Sequence, residues 1–209
     1  MSEPELDSLI VQHLADLDRT TLRIGLIQGL VLEALCEIVA EWAEENGWHA
    51  DFKMAEDGIW FADCWLAPRG WRTKDSKKED AYDAWFELDA GAGDDQEWRE
   101  GQDTWFLTRL CRVGFGQVGL KFKTDLRKGR AWKQAFAQMG EIVKDTKFAP
   151  DAEYSFFLPF NLEAAALARA LEEENVGSAL EPFSSILEEL RRALPAFDNV
   201  VQHLRPEVT

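Results

Sequence analysis

The feature that most constrains the fold is a long apolar stripe between residues 22 and 46. Its apolar side chains recur every three or four positions, which is the period of one face of an α-helix. The stripe consists of Ile24, Ile27, Val31, Leu35, Ile38 and Trp42, widened by Leu22, Leu26 and Leu30. Asn46 and Gly47 predict the end of this helix, because glycine adopts the left-handed conformation of a helix terminus at little steric cost. The same spacing predicts a shorter helix over residues 5–17.

From Trp48 to Asp125 the pattern changes to the alternation that is typical of β-strands. In the last of these segments, apolar residues alternate with Gly119, Lys121 and Lys123. This alternation predicts a half-buried strand that shows its basic residues to solvent. The predicted strands are Phe52–Ala55, Ile59–Ala67, Tyr82–Asp89, Thr104–Val113 and Gln117–Thr124.

The remainder of the chain returns mostly to helical spacing. It predicts helices over 130–146, 161–174 and 178–195, the last ending at Pro195, followed by one or two turns. A short apolar strand is predicted over 153–160. We therefore expect an α+β fold in which an antiparallel sheet of about five strands is packed by a long N-terminal helix and C-terminal helices. The chain is interpreted as a single domain, 1–209, with a helical part at 5–46, a sheet at 48–125 and a helix–strand–helix part at 130–205.

The charge of the chain is unevenly distributed, although the formal net charge is -16. Residues 1–108 carry 9 Lys or Arg against 25 Asp or Glu, whereas residues 109–147 carry 10 against 3. An acidic body with one basic belt indicates electrostatic association with a charged partner.

One acidic connection is the strongest candidate for contact with a basic protein partner. Its carboxylates can aid solubility, imitate nucleic-acid phosphates or hold a cation weakly, and the spacing does not fit a calcium loop. Trp71 and Trp98 lie in polar surroundings and are predicted to be partly exposed beside it. The predicted partner-binding residues are Asp94, Asp95, Glu97, Glu100, Asp103, Trp71 and Trp98.

The basic belt, residues 109–147, can contact phosphate if its side chains are brought together on the surface. Alternatively, it faces the acidic connection or a second subunit and is neutralised there. Nucleic acid can be a partner only through this belt, because the rest of the molecule repels it. The predicted phosphate-binding residues are Lys121, Lys123, Arg127, Lys128 and Arg130.

Signals for catalysis are weak. Gly114, Gly116 and Gly119 match a dinucleotide-binding pattern, but the residues after Gly119 alternate as in a strand, which favours a glycine-rich turn. Glu87 and Asp89 share one strand face, and with Asp63 they offer a possible metal-binding set; the Glu-x-Lys spacing of the restriction-nuclease superfamily is missing. The three histidines have no recognisable nucleophile near them. No catalytic residue, resident metal or cofactor is predicted.

The three cysteines are widely spaced and form no CxxC pair, so we expect free thiols in a reducing compartment. The first residues lack the pattern of a signal peptide, and no apolar stretch is long enough to span a membrane, so we expect a cytoplasmic protein without membrane contact. The sequence favours a non-enzymatic interaction protein whose acidic surface engages a basic partner. One form of this hypothesis is a nucleic-acid-mimicking inhibitor encoded by a mobile element. A metal-dependent nuclease-like phosphodiesterase and a small-molecule-binding protein with a Trp-lined pocket stay open as alternatives, as does the oligomeric state.

Overall fold

The computed structural model describes residues 2–54, 61–73, 81–89, 105–112, 117–151 and 153–205. Within these residues the chain forms seven α-helices. They are α1 (Glu3–Gln12), α2 (Leu14–Asn46), α3 (Phe106–Leu110), α4 (Gly129–Val143), α5 (Ala164–Glu172), α6 (Val176–Ala179) and α7 (Glu181–Leu204). The predicted end of the long helix is confirmed, since Gly47 has a left-handed φ of 70°.

In the described part of the chain, six strands form one antiparallel sheet with the order β1-β2-β3-β4-β6-β5. This confirms the α+β class and the antiparallel sheet, with six strands where about five were expected. The strands are β1 (Trp48–Met54), β2 (Phe61–Pro68), β3 (Ala84–Asp89), β4 (Val118–Thr124), β5 (Ala149–Pro150) and β6 (Phe156–Phe160).

One face of the sheet carries the core. On β3 the residues alternate between buried and half-buried, because successive side chains point to opposite faces of a strand. The aromatic rings of the inner face meet Phe197 of α7, whose centroid lies 5.0 Å from that of Phe86 and 4.9 Å from that of Phe122. Helix α4 adds Phe136, stacked 4.7 Å from Phe156. The helices therefore cover the inner face with a continuous aromatic cluster.

The predicted strand at Thr104–Val113 is wrong, because residues 106–110 form the short helix α3. Phe106 and Leu110, four residues apart, are both fully buried, so the helical spacing places two large side chains in the core at once. As a result, β3 pairs directly with β4.

The predicted helix end at Pro195 is also wrong, since α7 continues through Pro195 to Leu204. Proline removes one helical hydrogen bond. Phe197, Val200 and Leu204 are buried beyond it, so packing of the apolar face maintains the helix.

The N-terminal helices are only partly packed. Residues 2–23 are all exposed, and the buried residues of α2 begin at Gln28. From Val31 onward the predicted stripe lies in the core. The described residues therefore bury only the second half of the predicted stripe.

Candidate functional site

The outer face of the sheet brings charged side chains of neighbouring strands side by side. In the strand register, Trp65 of β2 pairs with Glu87 of β3, which pairs in turn with Lys121 of β4. Trp85 pairs with Lys123, the next residue of β4 on this face. The outer face therefore carries two lysines in a row, flanked by tryptophan and carboxylate side chains.

Lys121 is buried, with a side chain only 6% exposed, so its predicted exposure to solvent is wrong. Its Nζ lies 3.1 Å from an Asp89 oxygen and 3.2 Å from an Asp151 oxygen, and it donates a hydrogen bond to Glu153. Burial alone would lower the pKa of Lys121. The hydrogen bond to Glu153 and the charge of Asp89 outweigh burial, so the pKa of Lys121 is raised above its ordinary value.

The covering of Lys121 depends on a close approach of β6 to β4. Phe157 of β6 pairs with Lys121, and Gly119 pairs with Pro159. A Cβ atom on Gly119 would overlap the Phe157 ring and the carbonyl oxygen of Leu158. The third glycine of the predicted dinucleotide pattern is therefore a packing residue inside a strand. Gly114 and Gly116 lie outside the described residues.

An open groove of about 310 Å³ lies at the end of β4, next to this closed region. Four of the five predicted phosphate-binding residues line it; Arg130 does not. The residues that line the groove are Trp85, Lys121, Phe122, Lys123, Thr124, Asp125, Arg127, Lys128, Gly129, Trp132, Glu153, Tyr154 and Ser155.

The cations of the groove differ in how they are paired. Within the described part of the chain, no carboxylate lies within 4 Å of Lys123 or Arg127. Lys128 pairs with Asp125 at 2.7 Å, but both side chains are more than half exposed. An exposed pair of this kind contributes at most about 1 kcal/mol. The groove therefore keeps cationic side chains that the described residues do not neutralise.

The aromatic wall of the groove is held in place by a hydrogen bond. Trp132, in the first turn of α4, donates its Nε1–H to the carbonyl oxygen of Tyr154 at 2.6 Å. The ammonium of Lys133 lies 4.6 Å from the centre of the Tyr154 ring. Trp85 is a second tryptophan in the lining, so two indole side chains contribute to the wall of the groove.

The carboxylates proposed for a metal site are only partly described. Asp89 lies beside the ammonium of Lys121, and Glu87 faces Lys121 across the strand register. The side chain of Asp63 lies outside the described part. Among the side chains that are described, no three His, Cys, Asp or Glu residues are grouped so that they could hold a metal ion.

Of the predicted partner-binding residues, only Trp71 can be assessed. Its predicted exposure is wrong: it is 2% exposed, and its Nε1–H donates to Asp198 at 2.6 Å. The carboxylate of α7 supplies the acceptor that a buried indole N–H requires. The other predicted partner-binding residues, Asp94, Asp95, Glu97, Glu100, Asp103 and Trp98, lie outside the described residues.

A second surface lies on the outward face of α2 and was not predicted as a site. At 100° per residue, seven exposed side chains fall on the side opposite the buried stripe. The leucines come first, with Leu22 71%, Leu26 61% and Leu30 47% exposed. We call this set the outward row: Leu22, Leu26, Leu30, Glu33, Glu37, Glu41 and Glu44.

The glutamates of the outward row are unpaired within the described part of the chain, where no Lys or Arg lies within 4 Å of them. By contrast, Glu188 and Glu189 of α7 each pair with an arginine. The signal for the row was present in the sequence. The three leucines had been assigned to the buried stripe, although helical geometry places them about half a turn away from it.

All three cysteines lie in the described part of the chain. None of the three cysteines, Cys36, Cys64 and Cys111, is in a disulfide, as expected. Burial raises the pKa of the Cys36 and Cys111 thiols, with a further contribution from the nearby Glu33 and Glu163 carboxylates respectively. A raised pKa lowers the thiolate fraction at neutral pH, so neither thiol is activated as a nucleophile.

None of the described helices has the length and apolarity needed to cross a membrane. Comparison of the chain with protein-family models, with curated proteins and with solved structures returned no match.

Proposed function

We propose that the protein is a non-enzymatic interaction protein that binds a basic segment of another protein through the outward row of α2. The observation that carries this proposal is the set of four exposed glutamates without a cation within 4 Å in the described residues. Such a row attracts Lys and Arg side chains and favours partners of opposite charge.

The three leucines of the outward row indicate the shape of the partner. Leu22, Leu26 and Leu30 are spaced four residues apart, so they form one continuous apolar strip that precedes the glutamates. A helix with leucine-like side chains at one end and basic side chains at the other matches this strip and row when it lies alongside α2. Apolar burial then supplies affinity, while the charges select the partner and its direction.

In its most specific form, the proposal is a nucleic-acid mimic of the kind that a mobile element encodes against a host protein. The carboxylates would then occupy contacts that the partner normally makes with phosphates. The acidic connection at 94–103, which lies outside the described residues, is a second candidate for such contacts. Competition between this protein and a nucleic acid for the partner distinguishes this form from ordinary association.

The test uses a defined probe: a fluorescent amphipathic peptide with leucines in its first half and lysines in its second half. Binding is measured by anisotropy at low and high salt. We expect saturable binding that weakens as salt rises, because the charges are exposed and screened. A variant with Glu33, Glu37, Glu41 and Glu44 all changed to Gln should lose most of this binding, as should Leu26→Asp.

The matched control changes four other exposed glutamates of the chain to Gln: Glu172, Glu173, Glu174 and Glu181. It alters the net charge equally and should bind the peptide as the wild type does. A parallel variant with Asp94, Asp95, Glu97 and Glu100 changed to amides reports the share of the acidic connection. If the control loses binding as much as the outward-row variant, the association is general charge attraction and the proposal fails.

A further inference from the structure

We infer that the groove at the end of β4 is a binding site for a small phosphate ester that also carries an aromatic ring, such as a nucleoside monophosphate. This site is separate from the outward row, so it does not depend on the proposed function. Four observations on the groove lead to the inference: its unpaired cations, the helix that begins on its wall, its tryptophans and its size.

The first observation is the charge of the groove. The groove is lined by four cations, Lys121, Lys123, Arg127 and Lys128, and by two carboxylates, Asp125 and Glu153. Lys128 pairs with Asp125 and Lys121 with Glu153, which leaves Lys123 and Arg127 without a carboxylate within 4 Å among the described residues. Like charges gathered in one concave site repel one another, and a bound anion relieves that repulsion. Arginine and lysine are also the side chains that bind phosphate most strongly, arginine through paired N–H donors.

The second observation is the start of α4. Gly129 and Lys128 line the groove, and Lys128 is the residue before the first helical residue. No side chain caps this end, and its first turn contains no acidic residue but does contain Arg130. The first N–H groups of a helix lack helical acceptors and form the positive end of its dipole. A basic side chain such as Arg130 is unfavourable at the positive end of a helix. A bound anion would compensate both the charge of Arg130 and the positive end of the helix dipole.

The third observation is the aromatic lining. Trp132 already uses its N–H in the hydrogen bond to Tyr154, so its ring is held fixed and offers only an apolar surface. Trp85 also lines the groove. An aromatic ring carried by the same ligand can pack on these indoles, as the bases of single-stranded nucleic acids stack on aromatic side chains.

The fourth observation is the extent of the site, which favours a small ligand over a nucleic-acid strand. The groove volume of about 310 Å³ is at the lower end of small-molecule sites. Arg109 and Lys121 are both about 5% exposed, so the basic belt is interrupted by buried cations. A strand of nucleic acid needs a continuous basic track, which the described part of the belt does not provide.

The test measures binding of adenosine 5′-monophosphate, inorganic phosphate and adenosine to the full chain at low salt, by calorimetry and tryptophan fluorescence. We expect adenosine monophosphate to bind most tightly, inorganic phosphate more weakly and adenosine most weakly. Replacing Lys123 and Arg127 with Gln should weaken binding of adenosine monophosphate by about tenfold or more. Trp132→Phe should weaken the binding of adenosine monophosphate and leave the binding of inorganic phosphate nearly unchanged.

The matched control replaces Lys144 and Lys147, two exposed lysines beyond the groove, with Gln and should change affinity less than about twofold. The inference is overturned if the Lys123/Arg127 variant and the Lys144/Lys147 variant bind adenosine monophosphate with equal affinity. It is also overturned if neither adenosine monophosphate nor inorganic phosphate binds saturably. Binding of a single-stranded oligonucleotide without binding of adenosine monophosphate also contradicts it, because the ligand is then a polymer. The four-glutamate variant of the outward row should bind adenosine monophosphate normally, so this test fails or succeeds independently of the peptide test.

Discussion

Lys121 and Lys123 are two residues apart on the same face of β4, yet their surroundings are opposite. Both lysines line the groove, but Lys121 is buried among Asp89, Asp151 and Glu153, whereas Lys123 is half-buried with no carboxylate within 4 Å in the described residues. Strand alternation places both on the outer face but does not decide their exposure. The difference arises from the neighbouring strand: β6 pairs with β4 only as far as Lys121. Pairing and cover end there, and the groove begins.

The comparison also separates a structural charge from a functional one. Lys121 is held by several partners that the fold itself supplies, so its charge is used to keep the outer face closed. Lys123 and Arg127 have no such partners among the described residues, so their charge is available to a ligand. A basic belt read from sequence therefore contains both kinds of lysine, and only their surroundings distinguish them.

The largest effect is expected from Lys121→Met, which removes the cation and leaves three carboxylates facing one another. Breaking a buried ion pair by removing one partner costs about 3–5 kcal/mol. Because Asp89 and Asp151 remain 22% and 23% exposed, we expect the lower end of this range. Urea denaturation of Lys121→Met and Lys123→Met measures the contrast directly. Equal midpoints for the two variants would show that the buried cluster has no special role.

The same contrast should appear at alkaline pH. The pKa of Lys121 is raised in the folded protein, so the folded state keeps its proton where the unfolded state loses it. Stability from this group is therefore complete below the ordinary lysine pKa of about 10.4 and is lost as pH rises above it. Denaturation curves from pH 7 to 11 should show a constant difference between wild type and Lys121→Met, which shrinks only above about pH 10. A difference that already shrinks between pH 7 and 9 would contradict this assignment.

Gly119→Ala tests the close packing of β6 on β4 that covers Lys121. The added Cβ would overlap the ring of Phe157 and the carbonyl oxygen of Leu158, so β6 must shift away from β4. Overpacking of this kind costs about 1–3 kcal/mol. Thermal unfolding measures the loss, and Gly70→Ala serves as control because a Cβ there meets no atom within 4 Å. We also expect faster exchange of the β6 amide hydrogens in Gly119→Ala.

Trp132→Phe tests the aromatic wall of the groove that Lys123 also lines. The substitution removes the hydrogen bond from Nε1 to the Tyr154 carbonyl oxygen and some ring surface, while the contacts to Phe136 and Phe156 can largely persist. A hydrogen bond of this type contributes about 0.5–1.5 kcal/mol, so we expect a loss of about 1 kcal/mol in urea denaturation. A loss several times larger would mean that Trp132 belongs to the core and not to the wall of a site.

The fold class followed from periodicity because periodicity reports which residues share a face. The end of α2 at Gly47 followed from a local steric preference. The alternation in β4 placed Lys121 and Lys123 on one face, but the predicted half-buried strand is wrong, since the first five residues of β4 are all buried. Periodicity does not show which other part of the fold packs against that face. The apolar stripe of α2 continues upstream through Ile24 and Leu17, yet only the residues from Gln28 onward are buried.

The remaining errors have the same origin. Trp71 lies in a polar stretch of sequence, but Asp198, which accepts its hydrogen bond, comes 127 residues later and could not be anticipated locally. Lys121 was assigned to solvent because its three carboxylates lie on other segments. The groove required β4, the start of α4 and the turn before β6 to meet, although four of its basic side chains were recognised as a group.

The smallest effect on folding is expected from Lys123→Gln, and it is the one that completes the comparison. Lys123 is half-buried but has no carboxylate within 4 Å among the described residues. In the absence of ligand, substitutions away from the core and from ion pairs change stability by no more than about 0.5 kcal/mol. Removing one of several neighbouring cations also relieves repulsion, so we expect the change to be neutral or slightly stabilising. The same variant should lose part of the thermal stabilisation that adenosine monophosphate gives the wild type, because a ligand stabilises only in proportion to its affinity. If Lys123→Gln instead destabilised the free protein as strongly as Lys121→Met, Lys123 would also be a structural cation, and the distinction between the two lysines would disappear.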